Sequence, residues 1–365
     1  MITKLEFSGN RNAAWPLQWP MIRRCLTTTV MFALSAMCVY AQNLGSLPHY
    51  KPQQIVTGTI RIWGHGSPKH DFMGKLMSYW EEGFRKYQPG IHIENRMYGT
   101  ASAIGALYTG AADMTILGEE IHAPAAAAFE RVMHYPPLGI DIATGSLDIR
   151  NFDYAHVFFV HHDNPITKLT LTQLDGIFGS EHRRGAQNIR TWGELGLTGE
   201  WADKPIIPYG WRLDDDFATY LQDVLLGGSH KWNCDLREFR HINKPDGSVY
   251  DHGQQILDAL AKDRYGIAVS NLRYINPEVR PLALAANDGE PYYEATKENL
   301  IQRKYPFTRI IPAVINRAPG HPVDPKVKEF LRYLLSYEGQ HDLVRESGYL
   351  PLSEESIREQ LKKLE

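Results

Sequence analysis

Three short stretches place hydroxyls, charges and glycines where a helix is expected to begin. They are "GHGSPKH" from Gly64, "YGTASAI" from Tyr98 and "WRLDDDF" from Trp211. The first turn of a helix has backbone N–H groups without intrahelical partners. With hydroxyl donors and one arginine added, such turns can hold a small oxyanion. In the first stretch Ser67 is a hydroxyl donor or a plain N-cap, and Lys69 and His70 bring positive charge. Gly64 and Gly66 allow close backbone approach. In the second, Thr100, Ala101 and Ser102 form a first turn whose hydroxyls are expected to face a ligand.

The third stretch carries mixed signals. Arg212 suits an anion, but Asp214, Asp215 and Asp216 follow it. Carboxylates there either repel an anionic ligand or cap the helix and complement its dipole. Glu119 and Glu120 close the strand "DMTILG" and add further negative charge.

Other chemistries find less support. His161 and His162 are expected on a strand, where neighbouring side chains point to opposite faces and cannot share an ion. No zinc-like spacing emerges among the 15 histidines, so no metal is expected. Neither a Gly-x-Ser-x-Gly elbow, a His-Glu-x-x-His helix nor a P-loop occurs. Ser67 and Ser102 lie near His65 and His70 but show no third, orienting group, which argues against a hydrolase. The reading is of a protein that is no enzyme and carries no cofactor.

The chain of 365 residues holds material for two domains. It is 43% hydrophobic and 22% charged, enough apolar residue for a sizeable core, and its net charge of −3 gives no nucleic-acid-binding surface. From Met21, "MIRRCLTTTVMFALSAMCVYAQ" reads as a secretory signal: Arg23 and Arg24, an apolar run, then small residues before cleavage at Ala41. The run is too short for a membrane span, so no stable insertion is expected. Residues 1–20 read as an extension ahead of the true start, and the mature chain as periplasmic or secreted. Cys25 and Cys38 leave with the signal, and Cys234 alone excludes a disulfide scaffold.

The elements that must position the three stretches alternate. Thr59 to Trp63 reads as a strand, Asp71 to Tyr87 as a helix ended by Pro89-Gly90, "IHIENRMY" as a strand, and the 100s as a helix before "DMTILG". That order gives an α/β sheet with parallel strands. Further along, "LTLTQLDGIFG" is a helix opened by a threonine cap, "KPIIPYGW" and "YGIAVSNL" are strands, and two amphipathic helices follow "TRIIPAVI".

Taken together, "YGTASAIGALYTGAADMTILGEE", "LTLTQLDGIFG…RTWGELG" and "VDPKVKEFLRYLLSYEGQHDLVRESGYLPL" resemble the phosphate-binding proteins of ABC transporters, over roughly residues 58–352. The resemblance implies a two-lobed periplasmic-binding-protein-like α/β fold. Each lobe would be a mixed, mostly parallel sheet flanked by helices, with a hinge between the lobes. It implies lobe one at 56–150 and 275–365, lobe two at 151–274, and crossovers near Asn151 and Arg273. It further implies a monomer that hands a small-molecule ligand to an ABC permease. Carried over loop by loop, it names Ser67, Thr100, Ser102 and Arg212 as contacts, with Lys69 and Ala101 in the same loops. The chain departs from the family where Asp215, Asp216 and Phe217 replace Ser-Gly-Thr, and at Glu119, which the resemblance puts in the place of a cleft side chain. Glu119, Asp215 and Asp216 are the expected specificity determinants. Those departures leave three readings open: phosphate or a related oxyanion; a zwitterion or polyol; or a sensor or scaffold without transport. Among the aromatic residues, Trp211 is the one expected at the cleft mouth.

Overall fold

A computed structural model describes residues 44–66, 72–149 and 153–365. The secretory segment, Ser67, Lys69 and His70 lie outside the described residues. Leu47–Glu365 form one unit that carries two five-stranded sheets.

The first sheet starts from β1 (Thr57–Gly64), whose alternation buries Ile60 and Ile62 while Thr57 and Thr59 stay exposed. Helix α1 (Phe72–Arg85) follows, with Met73, Leu76, Met77, Trp80 and Phe84 on one buried face at helical spacing. Each such side chain contributes roughly 1.5–3 kcal/mol of burial. Next come β2 (Gly90–Arg96), α2 (Thr100–Tyr108), β3 (Met114–Ile116), α3 (Ala123–Met133) and β4 (Leu138–Thr144). β1 pairs in parallel with both β2 and β3, as the alternating order requires.

The chain then crosses to the second sheet. The half built on it contains β5 (Val157–His161), β6 (Lys168–Thr170), α4 (Leu171–Phe178), β7 (Ile207–Trp211), α5 (Asp216–Val224) and β8 (Arg237–Phe239). A small hairpin of β9 (Ile242–Asn243) and β10 (Val249–Tyr250) leads to α6 (His252–Leu260) and β11 (Gly266–Ser270). β12 (Val279–Pro281), β13 (Ala283–Ala285) and the short α7 (Lys297–Ile301) complete this half. The order is β12-β5-β11-β7-β8, with β13 pairing β6 alongside. Thr170 opens α4 with a capping box to Gln173, the threonine cap read from the sequence.

β14 (Ile310–Ile315) returns to the first sheet and runs antiparallel between β3 and β4. Helices α8 (Pro325–Leu334), α9 (Tyr337–Glu346) and α10 (Glu354–Lys362) close the chain. Trp80 on α1 donates from its indole N–H to the Gly339 carbonyl on α9 at 3.0 Å. With β14 antiparallel to both neighbours, the first sheet is mixed, as the family resemblance implies.

The return crossing lies later than the expectation near Arg273. β12 pairs with β5 of the second sheet, and Leu282, Leu284, Leu300, Ile301, Tyr305 and Phe307 share a core with Phe158, Phe178 and Leu257. The second half thus runs from about 153 to 308 rather than 151–274.

Candidate functional site

The carboxyl ends of β1, β3 and β7 lead into loops that meet at one cavity of about 490 Å³. Open α/β sheets bind ligands at that end of their strands. The first half supplies His65, Gly99, Thr100, Ala101, Gly118 and Glu119 to the lining; Asp153 comes from the crossover. The second half supplies Asp215, Asp216 and Phe217 at the start of α5, together with His241 and His252.

The first-half wall is fixed by close packing. Gly99 N-caps α2 at φ 128°, a conformation that suits glycine, and no side chain caps that turn among the described residues. Thr100 Oγ1 accepts from the Gly118 N–H at 3.1 Å and lies 3.4 Å from His65 Nδ1. His65 Nε2 stands 3.3 Å from Asp153 Oδ2. The imidazole lies so close over Gly118 that a Cβ there would meet Nδ1 at 2.2 Å.

On the opposite wall Asp215 N-caps α5, accepting from the Phe217 N–H at 3.1 Å. Its other oxygen faces His252 Nδ1 at 3.4 Å. Burial pushes the Asp215 carboxyl up, but the facing His252 imidazole and the Phe217 N–H outweigh it and hold it below the usual range. Asp216 goes the other way: burial raises it, then the charge of Glu119 from the facing wall, then Asp215.

A charged network stands behind Glu119. Arg309, at the start of β14, is fully buried, with Nε 3.0 Å from Glu120 Oε2 and Nη2 3.7 Å from Glu119 Oε2. Its guanidinium lies 4.2 Å over the Tyr220 ring, and neither Nη atom makes a hydrogen bond. His122 approaches Glu119 Oε2 at 3.1 Å and Asp223 Oδ2 of α5 at 3.3 Å. The Glu119 hydrogen bond raises the His122 pKa against its burial, and Asp223 adds to the rise.

Of the residues named from sequence, Thr100, Ala101, Glu119, Asp215 and Asp216 come together at the cavity. Ser102 is exposed and its hydroxyl donates to the Gly99 carbonyl at 2.9 Å, away from that lining. Arg212 does not reach it. It is half exposed, 2.5 Å from Asp214, and lines a separate depression with Glu238, Phe239 and Arg240. β7 ends at Trp211, and Arg212 turns outward with the loop. Trp211 is buried rather than at a cleft mouth, packed 4.6 Å from the His156 ring and 5.0 Å from Phe217.

His161 and His162 also differ from the alternation argument. β5 ends at His161, so His162 sits in the turn and the two rings lie 4.4 Å apart beside Glu278. His241, Asp251 and His252 form a second such group. Sequence reasoning missed His65, Asp153, His241, His252 and Arg309 as parts of this region. The glycine pair around His65 was the local signal for that residue; the others meet through tertiary pairing.

Two sheets joined by two crossings, with strand ends converging on one cavity, define a two-lobed ligand-binding protein. The PBP superfamily domain matches residues 57–338, and the chain belongs to that superfamily. It is 29% identical over 339 residues to the phosphate-binding protein PstS of Pseudomonas aeruginosa, covering 92% of this chain and 96% of that protein. Among solved structures it is similar to PstS from Borrelia burgdorferi, with TM-score 0.54, 15% identity, and 81% and 99% of the two chains covered. An ABC-type phosphate transport receptor from Vibrio cholerae matches with TM-score 0.49, 16% identity, and 80% and 99% covered. The fold read from the sequence is the fold found. No helix among the described residues is long and apolar enough to cross a membrane.

Proposed function

We propose that the protein is an extracytoplasmic solute-binding protein that captures phosphate or a related oxyanion between its lobes and delivers it to an ABC permease. The observation that carries this reading is that the starts of α2 and α5, one from each lobe, line the same cavity. Helix starts favour anions through their free N–H groups and dipole. The likeness to a protein named for phosphate binding supports it, and the signal-like segment at 21–41 supports export. The bound ligand undergoes no covalent change.

The carboxylates give the reading a particular form. Glu119, Asp153, Asp215 and Asp216 all line the cavity, so a bare, fully ionised anion meets strong repulsion. Protonated phosphate offers hydrogen-bond donors to carboxylates; sulfate offers none. The same four groups favour a second reading, a zwitterionic or polyol ligand. Calorimetric titration of the mature protein with phosphate, sulfate, amino acids and sugars separates them. Phosphate binding with sulfate rejected supports the first reading, and binding of amino acids or sugars without phosphate overturns it.

A further inference from the structure

We propose that His241, Asp251 and His252 form a site for a divalent transition-metal ion at the edge of the ligand cavity. The β9–β10 hairpin creates it. Its antiparallel register pairs Tyr250 with Ile242 and Val249 with Asn243, so the next residues out, His241 and Asp251, stand opposite each other. His252 follows as the first residue of α6. One donor atom from each of the three lies within 4.8 Å of the others.

The Asp251 carboxylate lies between the two imidazoles, Oδ2 at 3.8 Å from His241 Nδ1 and Oδ1 at 3.9 Å from His252 Nε2. The rings themselves are stacked 3.9 Å apart at 23°, so the exposed His241 ring must turn out of the stack for both in-plane lone pairs to meet one ion. The carboxylate–imidazole separations are too long for hydrogen bonds. His241 Nδ1 instead accepts from the His252 backbone N–H at 3.4 Å and Asp251 Oδ1 from the Gly253 N–H at 3.0 Å, contacts that a bound ion would have to displace or share. The same separations are close to the ~3.4 Å between neighbouring donors on a tetrahedral ion with bonds of about 2.1 Å. His252 is 3% exposed, and its Nδ1 makes no hydrogen bond. Asp215 Oδ2 stands 3.4 Å from that nitrogen, the place of the outer carboxylate that orients a metal-bound histidine. Two imidazoles and one carboxylate suit zinc-like ions and leave coordination positions open.

His241 and His252 also line the cavity, so an open position there can take an anionic oxygen. The ion offsets the carboxylates that otherwise oppose an oxyanion. This coupling to the ligand rests on the oxyanion reading above; the metal site itself does not.

The test is calorimetric titration of chelator-treated protein with Zn²⁺ alone, then with inorganic phosphate in the presence and absence of Zn²⁺. A His162→Ala background removes the separate His161, His162 and Glu278 group. The expected result is one Zn²⁺ per chain, weakened at least ~10-fold by His241→Ala and by Asp251→Asn, with phosphate bound at least ~10-fold tighter when Zn²⁺ is present. His241 is exposed, and asparagine keeps the cap oxygen that Asp251 offers Gly253, so both variants retain the fold, checked by circular dichroism. Zinc binding that neither substitution changes overturns the site. Phosphate affinity indifferent to Zn²⁺ overturns the coupling. Substitution-sensitive zinc binding with no phosphate binding under either condition upholds the site and sinks the oxyanion reading.

Discussion

His122, at the start of α3 in the first lobe, reaches Asp223 on α5 of the second at 3.3 Å, while its other ring nitrogen meets Glu119 at 3.1 Å. One imidazole therefore ties two carboxylates from opposite sides of the cleft. Protonation strengthens both contacts, and the Glu119 hydrogen bond raises the pKa above the usual 6.5. A raised histidine contributes stability that is fully present below its unfolded pKa and is lost as pH rises through the folded one. The protein should lose stability between about pH 6.5 and the raised value. His122→Gln should flatten that slope and cost roughly 1.5–3 kcal/mol on the acid side, where charged hydrogen bonds are lost. Urea unfolding at pH 6 and pH 8 measures both; equal slopes for the two proteins would remove the tie.

Arg309 is a positive charge held without exposure between Glu119, Glu120 and the Tyr220 ring. Burial opposes the charge, but Glu120 and Asp153 more than restore it and raise its pKa. Arg309→Met keeps roughly the volume and removes the charge, leaving Glu120 without its arginine and Glu119 with His122 alone. Breaking a buried pair in this way costs about 3–5 kcal/mol. The loss should be read as a lower urea midpoint with an unchanged denaturant slope.

These two contacts show where the sequence stops being legible. The alternation in 57–116, the helical face of α1 and the threonine cap of α4 are local patterns, and each was readable from residue spacing. The helix start at Thr100 was readable for the same reason. Arg309 sits at the entry to a strand, and nothing within ten residues of it shows that Glu119 and Glu120 are its partners. The late return crossing was hidden because β12 and β13 are three residues each and find their partners over a hundred residues back. Arg212 matched a motif by position, but its outward turn depends on where β7 ends. His241 met Asp251 only through the register of a two-residue hairpin.

Asp216 lines the cavity, and burial and the charge of Glu119 both raise its pKa, so its ionised form is disfavoured there. A carboxyl raised on folding destabilises once ionised, so Asp216→Asn should increase stability at neutral pH. The same substitution should tighten phosphate binding about tenfold at pH 8, worth ~1.4 kcal/mol, and weaken the wild-type gain in affinity toward lower pH. Arg212→Ala, outside the cavity, should change affinity less than twofold, an estimate based on its exposed pairing with Asp214. Titration of phosphate into the three proteins at pH 6 and 8 decides. A large loss in Arg212→Ala would restore that arginine to the site.

Gly118 tests whether the first-half wall must be as close as it is. Its N–H donates to Thr100 Oγ1, and its bare Cα lets the His65 ring lie over it, held by Thr100 on one side and Asp153 on the other. In Gly118→Ala the new methyl would stand 2.2 Å from His65 Nδ1, so the ring must leave or the strand end must shift. Overpacking of this kind costs about 1–3 kcal/mol. Because His65 lines the cavity, ligand affinity should fall along with stability. Gly105→Ala, on the same lobe but 3.7 Å from its nearest neighbour, is the matched control and should leave both unchanged or slightly raise stability, since alanine favours a helix by about 1 kcal/mol. If Gly118→Ala binds ligand as tightly as the control, the His65 position does not matter to the site.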